Sequence, residues 1–336
     1  MTLLSRSFPW RDPTLVAESL ACIHGEQGLI WLDGDGSELG RHITLAADPV
    51  EHHCCRGLPG DPGATNPFAT LRHLSAGHWT GWLSYDAAAW TEPTNPWRRD
   101  VMATLWIARH DPVLRFDLQS REIHLEGIDP ERHAAMVRHL ETLSTEERHP
   151  RRWPMLGCSW HRHSDRSSYM AGVSRIRELI ASGDLFQANL TSCTSSSIGP
   201  SVGNLELYGR LRDRCPAPFS GVLIGNGDAA GEAVLSTSPE RFLQVETDGA
   251  VQTRPIKGTR PRHTDPIIDD DLAADLVCSA KDRAENVMIV DLLRNDLGRV
   301  CRPGSVQVPE LVRLESYARV HPVSYTHLRA HETKRN

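Results

Sequence analysis

The stretch QTRPIKGTRPR, residues 252–262, sets Lys257 between a Pro-Ile and a Gly-Thr pair, with Arg254, Arg260 and Arg262 close by. Lysines are mostly exposed, so Lys257 is either a solvated turn residue or an amine held for chemistry. Its flanks bear on the choice. SPERFLQVETDGAVQTRPIKGT contains two strand-like runs around Asp248-Gly249, a pair suited to a two-residue type I′ turn because both central residues then take positive φ. In that register Thr247 faces Ala250, Val245 faces Gln252 and Glu240 faces Lys257. Directly opposed side chains have Cβ atoms about 4.5–5.5 Å apart, close enough for a salt bridge or for both groups to act on one bound molecule. Pro255 removes a ladder donor, so the pairing beyond it is the weakest part of the hairpin.

A second group of candidates lies in SAKDRAENVMIVDLLRNDLGR, residues 279–299, whose composition predicts a helix ending at Gly298. Glu285, Ile289 and Leu292 fall at i, i+4 and i+7, which aligns a carboxylate with an apolar face. Asp291 likewise interrupts an apolar run. Such carboxylates are either salt-bridged to neighbours such as Arg283 or Arg294, or are oxygen ligands for Mg²⁺, a hard cation commonly held by one or two carboxylates plus an anionic substrate.

The elements that must position these groups are legible in outline. Up to about residue 150 short strands alternate with Pro/Gly-rich turns: GLIWLD at 28–33, WTGWLSYD at 79–86, and PVLRFDL followed by EIHLEG, which reads as a hairpin. A helix is predicted from Pro130 to Leu143, running into STEERHPRRWP, whose charge and prolines mark a linker. Beyond it Tyr169, Val173, Ile176 and Ile180 follow helical spacing, with Ser167 or Ser168 as N-cap and Gly183 as the stop. DLFQANLTSCT then reads as a strand. Helices mixed with predominantly antiparallel strands predict an α+β architecture.

Composition narrows the function classes. A chain of 336 residues with 39% hydrophobic and 24% charged residues is long enough for a substantial core. Its net charge of −6 argues against a nucleic-acid surface. Eight scattered cysteines show neither zinc spacing nor a disulfide framework. With no signal-like start and no apolar run of bilayer length, the expected setting is the cytoplasm, with no membrane partner.

Read together, GDLFQANL, CPAPFSG, SPERF, TRPIKGTRPR, KDRAENVMIVDLLRNDLGR and PGSVQVPEL closely resemble the chorismate-utilising family, which includes the large subunits of anthranilate synthase and aminodeoxychorismate synthase. The match runs from about residue 168 to 321, and GWLSYD resembles the family's N-terminal region. The resemblance implies large antiparallel sheets packed face to face with helices outside, with Mg²⁺ as cofactor and chorismate as substrate. It divides the chain into an anthranilate-synthase-component-I-like region (1–150), the N-terminal part of a chorismate-binding catalytic domain (151–321) and a tail (322–336).

The resemblance also assigns roles. Glu285 falls on the family's metal-binding glutamate, Gly258 and Thr259 on its substrate-contacting pair, and Glu240 on its acid–base glutamate. Pro218, Phe219 and Ser220 match a segment that helps bind tryptophan in anthranilate synthases, and here are either a remnant of that site or a core turn. Lys257 matches the aminodeoxychorismate-forming branch, where anthranilate synthases usually carry alanine. The role implied for it is nucleophilic, which needs a neutral amine and hence a lysine pKa lowered by burial or by nearby positive charge such as the three arginines. Ammonia is expected from a glutamine amidotransferase subunit in trans, because no G-x-C-x-G motif is present. The nearest alternatives are anthranilate synthase component I and a non-catalytic, partner-binding short paralogue.

After YARV the chain departs from the family pattern. His321 either matches a catalytic histidine of the family or is its neighbour, with Pro322 in its place. SYTHLRAHET resembles translated sequencing adapter, so residues from about 322 onward are expected to be non-native and the chain as given to be a truncated, inactive fragment.

Overall fold

The computed structural model describes residues 3–94, 96–145, 153–309, 313–314, 320–324 and 328–331. In chain order the elements are β1 (Leu4–Pro9), α1 (Pro13–His24), β2 (Ile30–Asp33), β3 (His42–Ala46), β4 (Glu51–Cys55), α2 (Pro67–Arg72), β5 (His78–Leu83), β6 (Leu105–His110), β7 (Val113–Asp117), β8 (Glu122–Gly127), α3 (Pro130–Thr142), β9 (His161–Arg162) and α4 (Arg166–Ser182). They continue with β10 (Thr194–Ser195), α5 (Asn204–Arg214), β11 (Phe219–Ile224), β12 (Ala233–Ser238), β13 (Gln244–Val245), β14 (Ala250–Thr253), β15 (Ile256–Pro261), α6 (Pro266–Cys278), α7 (Ala280–Val300), β16 (Arg313–Leu314), β17 (Val320–Ser324) and β18 (Leu328–His331).

Strand alternation builds the largest layers. An antiparallel sheet runs in the order β1-β8-β7-β3-β2-β11-β12. Successive residues of a strand point to opposite faces, and here each face meets a different partner. Trp31, Val222 and Ile224 join a core with Val16 and Leu20 of α1, Met136 and Leu140 of α3 and Tyr208 of α5. Their neighbours Ile30 and Leu223 join Trp82 and Trp106 of the small sheet β4-β6-β5. The result is helices on one face and a second antiparallel sheet on the other, the mixed architecture expected from the sequence. The indoles of Trp82 and Trp106 stack with centroids 4.8 Å apart, and their N–H groups donate to Ala103 O and Asn226 Oδ1.

Two strands from beyond residue 204 complete this sheet, with β11 pairing directly with β2. The chain divides into one unit of residues 1–148 plus 204–336 and another of 149–203, which differs from the expected boundaries near 150 and 321. The physical reason is non-local pairing, which periodicity along the chain does not reveal. Most of the expected linker, residues 146–152, lies outside the described residues. The segment expected as a tail supplies the end of β17 and all of β18, and Leu328 and Ala330 are fully buried with Val251, Leu297 and Cys301.

Local expectations are corrected in three places. α4 is capped by Asp165, whose carboxylate accepts from Ser168 N, because an aspartate two residues before Ser167 already fills the role. It ends at Gly183 in the left-handed conformation, as expected. DLFQANLTSCT contributes only Thr194 to a strand, the two-residue β10 paired with β9. α7 runs through Gly298 to Val300; glycine inside a helix costs about 1 kcal/mol, and burial of the flanking Leu297 and Cys301 offsets it.

Below pH 6.5 one core residue is expected to weaken this fold. His110, 1% exposed, bonds through Nε2 to Gly28 O at 2.8 Å, and burial pushes its imidazole down to about 4. The unfolded chain takes up a proton near pH 6.5 and the folded chain does not. The histidine therefore costs nothing above pH 6.5 and progressively more down to pH 4, up to about 3 kcal/mol. His110→Gln, which keeps an N–H donor, is expected to flatten the fall in urea-unfolding free energy across that window. An unchanged slope would contradict this.

Candidate functional site

Lys257 sits half-buried on β15, where the strand is irregular. β15 pairs with β17 as Ile256↔Ser324 and Thr259↔Pro322, with a register shift between Ile256 and Thr259 that leaves Lys257 and Gly258 inside the bulge. Bulges re-aim side chains, and this one has a cause. Gly258 takes φ +75, and a Cβ there would lie 2.9 Å from Asp282 Cγ and 3.0 Å from Leu276 Cδ1. Only glycine lets β15 come this close to the start of α7 while bending. Gly258→Ala is accordingly expected to cost about 1–3 kcal/mol from left-handed strain and overpacking, read from the urea midpoint. A loss below about 0.5 kcal/mol would show that the contact yields freely.

The hairpin leading to Lys257 differs in register from the expected one. Gln244 pairs with Gln252 and Val245 with Val251, one residue out of step with a two-residue turn. Gly249 has φ +80 but Asp248 does not join it at positive φ. Instead the Asp248 carboxylate accepts from Ala250 N at 2.8 Å, and Gly249 N donates to Glu246 O at 2.9 Å. This makes a three-residue loop ending in a left-handed glycine. The ladder is only two residues long on the β13 side, and past Pro255 the chain leaves β14 and joins β17. Glu240 and Lys257 are therefore not cross-strand partners, and Glu240 lies outside any strand.

Glu240 nevertheless comes close. Its Oε1 accepts from Ile256 N at 3.1 Å, one peptide from Lys257, and its own N–H donates to Ser238 Oγ. The expected salt bridge is not formed: among the described residues no carboxylate lies within 4.0 Å of the Lys257 amine. Arg260 and Arg262, expected to help set a positive field, carry compensating partners. Arg260 pairs with Asp275 at 2.8 Å and Asp282 at 3.4 Å, while Arg262 grips Asp269 at 2.9 Å. The Asp275 hydrogen bond raises the Arg260 guanidinium above its ordinary value against a smaller opposing effect of burial. Thr259 is exposed on the same strand.

α7 turns a different face inward from the expected one. Asp282, Asn286, Val290 and Leu297 are its buried residues, whereas Leu292 is 49% exposed and Glu285 half-exposed. Glu285 precedes Asn286 by one residue and so projects about 100° round the helix from the buried line. Asp291 is exposed and paired with Arg294 at 3.4 Å, the salt-bridged alternative. Among the described residues no three His, Cys, Asp or Glu side chains gather where one metal ion could be held. They do not by themselves fit the Mg²⁺ site implied by the resemblance, and no step below is routed through a metal. Sequence reasoning missed Asn286, whose Nδ2 donates to Lys257 O; its spacing of four from Asp282 was the available signal.

Pro218 precedes β11, which Phe219 and Ser220 begin, in a different sheet from β15. Pro218 and Ser220 are buried, Ser220 Oγ donates to Ala217 O, and the Arg241 guanidinium lies over the Phe219 ring. Ser220, Asp33, Asp35 and Arg212 line a cavity of about 310 Å³.

Residues 34–330 match the family of chorismate binding enzymes, and the chain belongs to it. Aminodeoxychorismate synthase component 1 of Salmonella typhimurium is 44% identical over 179 residues, 53% of this chain and 38% of that protein. Aminodeoxychorismate synthase of Streptomyces pristinaespiralis is 35% identical over 311 residues, 88% of this chain and 41% of that protein. The chain thus spans well under two thirds of the length of either relative. Anthranilate synthase component I from Streptococcus pneumoniae superposes with a TM-score of 0.68 at 22% identity, covering 88% of this chain and 70% of its own, a likeness of fold. Among the described residues no helix is long and apolar enough to cross a membrane, and all eight cysteines are free.

Proposed function

We propose that the protein is the large subunit of an aminodeoxychorismate synthase, which replaces the C4 hydroxyl of chorismate with an amino group. One observation carries the reading: Lys257 is a half-buried residue at a strand bulge, its amine is tied to no carboxylate among the described residues, and the Glu240 carboxylate bonds the adjoining peptide. In this reading the Lys257 amine adds to C2 of the ring while Glu240 gives a proton to the C4 hydroxyl, which leaves as water. Ammonia then adds at C4 as the amine leaves C2, and Glu240 takes back a proton. Gly258 and Thr259 present main chain to the substrate. Ammonia comes from a glutamine amidotransferase partner. The names of the relatives support the choice of this branch.

The test is product identity. Expressed at the length of its curated relatives and supplied with chorismate and an ammonium salt, the protein is expected to form 4-amino-4-deoxychorismate. Anthranilate as the main product would assign the chain to the sister reaction instead.

A further inference from the structure

The inward face of α7 carries a side chain that the proposed chemistry does not use directly. Asn286 is 0% exposed; its Nδ2 donates to Lys257 O at 3.1 Å and to Asp282 O at 2.9 Å, while its Oδ1 is buried with no hydrogen-bond partner among the described residues. The two carbonyl acceptors fix the amide's orientation, because a flipped amide would press its oxygen against both of them. Asn286 therefore reaches from α7 to the main chain of β15 at the peptide joining Lys257 to Gly258.

That peptide lies in the bulge, where the ladder is broken and a main-chain carbonyl has to find another donor. Asn286 supplies it. A buried amide oxygen left without a donor costs about 1–3 kcal/mol, so packing alone would be better served by an apolar side chain of similar volume. What asparagine does that leucine cannot is hold the Lys257 carbonyl, and with it the rotation of the peptide that sets where the lysine side chain leaves the strand. We propose that Asn286 is the positioning residue for Lys257, acting through the main chain of β15 and touching no substrate. This rests on the reading of Lys257 as the nucleophile.

The chain contains three lysines, Lys257, Lys281 and Lys334, which makes their relative reactivity measurable within one molecule. The native 336-residue chain is treated with limiting acetic anhydride and digested, and acetylation of Lys257 relative to Lys281 is read by mass spectrometry, with the urea-unfolded chain as reference. Asn286→Asp keeps the volume but loses the donor, and is expected to change that ratio by about fivefold or more, close to 1 kcal/mol, while still melting cooperatively. If that variant gives the unfolded ratio, Asn286→Leu, which fills the space without a polar group, decides by the same criterion. At the length of the relatives, kcat is expected to fall at least about tenfold with KM for chorismate little changed. An unchanged ratio and kcat in a folded variant overturns the positioning role. Should Lys257→Ala be inactive in the same assay, the nucleophile reading survives that result. A fully active Lys257→Ala defeats the reading itself, while the labelling ratio still decides whether Asn286 orients Lys257.

Discussion

Lys257→Ala, in the protein expressed at the length of its relatives, is expected to lower amination of chorismate by about 10³-fold or more, a barrier increase of about 4 kcal/mol. The substitution removes the amine and leaves its setting intact. Asn286 bonds the main-chain oxygen of residue 257 and Glu240 bonds the N–H of Ile256, so neither contact needs the lysine side chain. The conformation of Gly258 is likewise a main-chain property. The variant should therefore unfold at the same urea concentration as the parent while losing turnover, and chorismate should still bind. Steady-state rates and a denaturation curve on one preparation separate the outcomes. Turnover within about tenfold of the parent, 1.4 kcal/mol, would reduce Lys257 to a structural cation.

The largest effect on stability is expected at the end of β2. Asp33 closes β2 with its side chain 1% exposed, accepting from Tyr208 Oη at 2.8 Å, Arg212 Nε at 2.5 Å and Gly34 N at 3.0 Å. Burial and the Asp33 charge push the Tyr208 phenol well above its ordinary value. Burial works against the Arg212 charge, yet Asp33 outweighs it and keeps the guanidinium firmly protonated over the Trp31 ring. Asp33→Ala would strand that cation and a buried phenol together, and breaking a buried pair from one side costs about 3–5 kcal/mol. Asp33→Asn keeps an acceptor for Tyr208 and is expected to lose less. Urea unfolding followed by tryptophan fluorescence measures both. A loss below about 1 kcal/mol for Asp33→Ala would mean that solvent already screens the pair.

Elements whose signals are local were legible. The hairpin of β7 and β8, helix α3 from Pro130 and the glycine stop of α4 follow from alternation, proline at a helix start and glycine at its end. Asp248-Gly249 was rightly read as a turn, but its length was decided by one side-chain hydrogen bond, from Ala250 N to Asp248 Oδ1, and that shifted the register by a residue. In α7 the apolar spacing of Glu285, Ile289 and Leu292 suggested one inward face. β15 lies against Asp282 and Asn286 instead, because Gly258 lets its backbone close on that side.

By itself the sequence determined which groups are present and what short-range order they take: a lysine and a glycine side by side, a turn before them, a long helix after them, and motifs specific enough to place the chain among chorismate binding enzymes. These depend on interactions a few residues long, which composition and periodicity record directly. Tertiary structure alone decided that β15 pairs with β17 and not with the run that carries Glu240, that Glu240 meets Ile256 N and leaves the Lys257 amine without a carboxylate among the described residues, and that Asn286 holds the Lys257 carbonyl. Each of these joins groups distant along the chain, and the choice among possible partners is settled by packing and by the need of every buried main-chain group for a hydrogen bond.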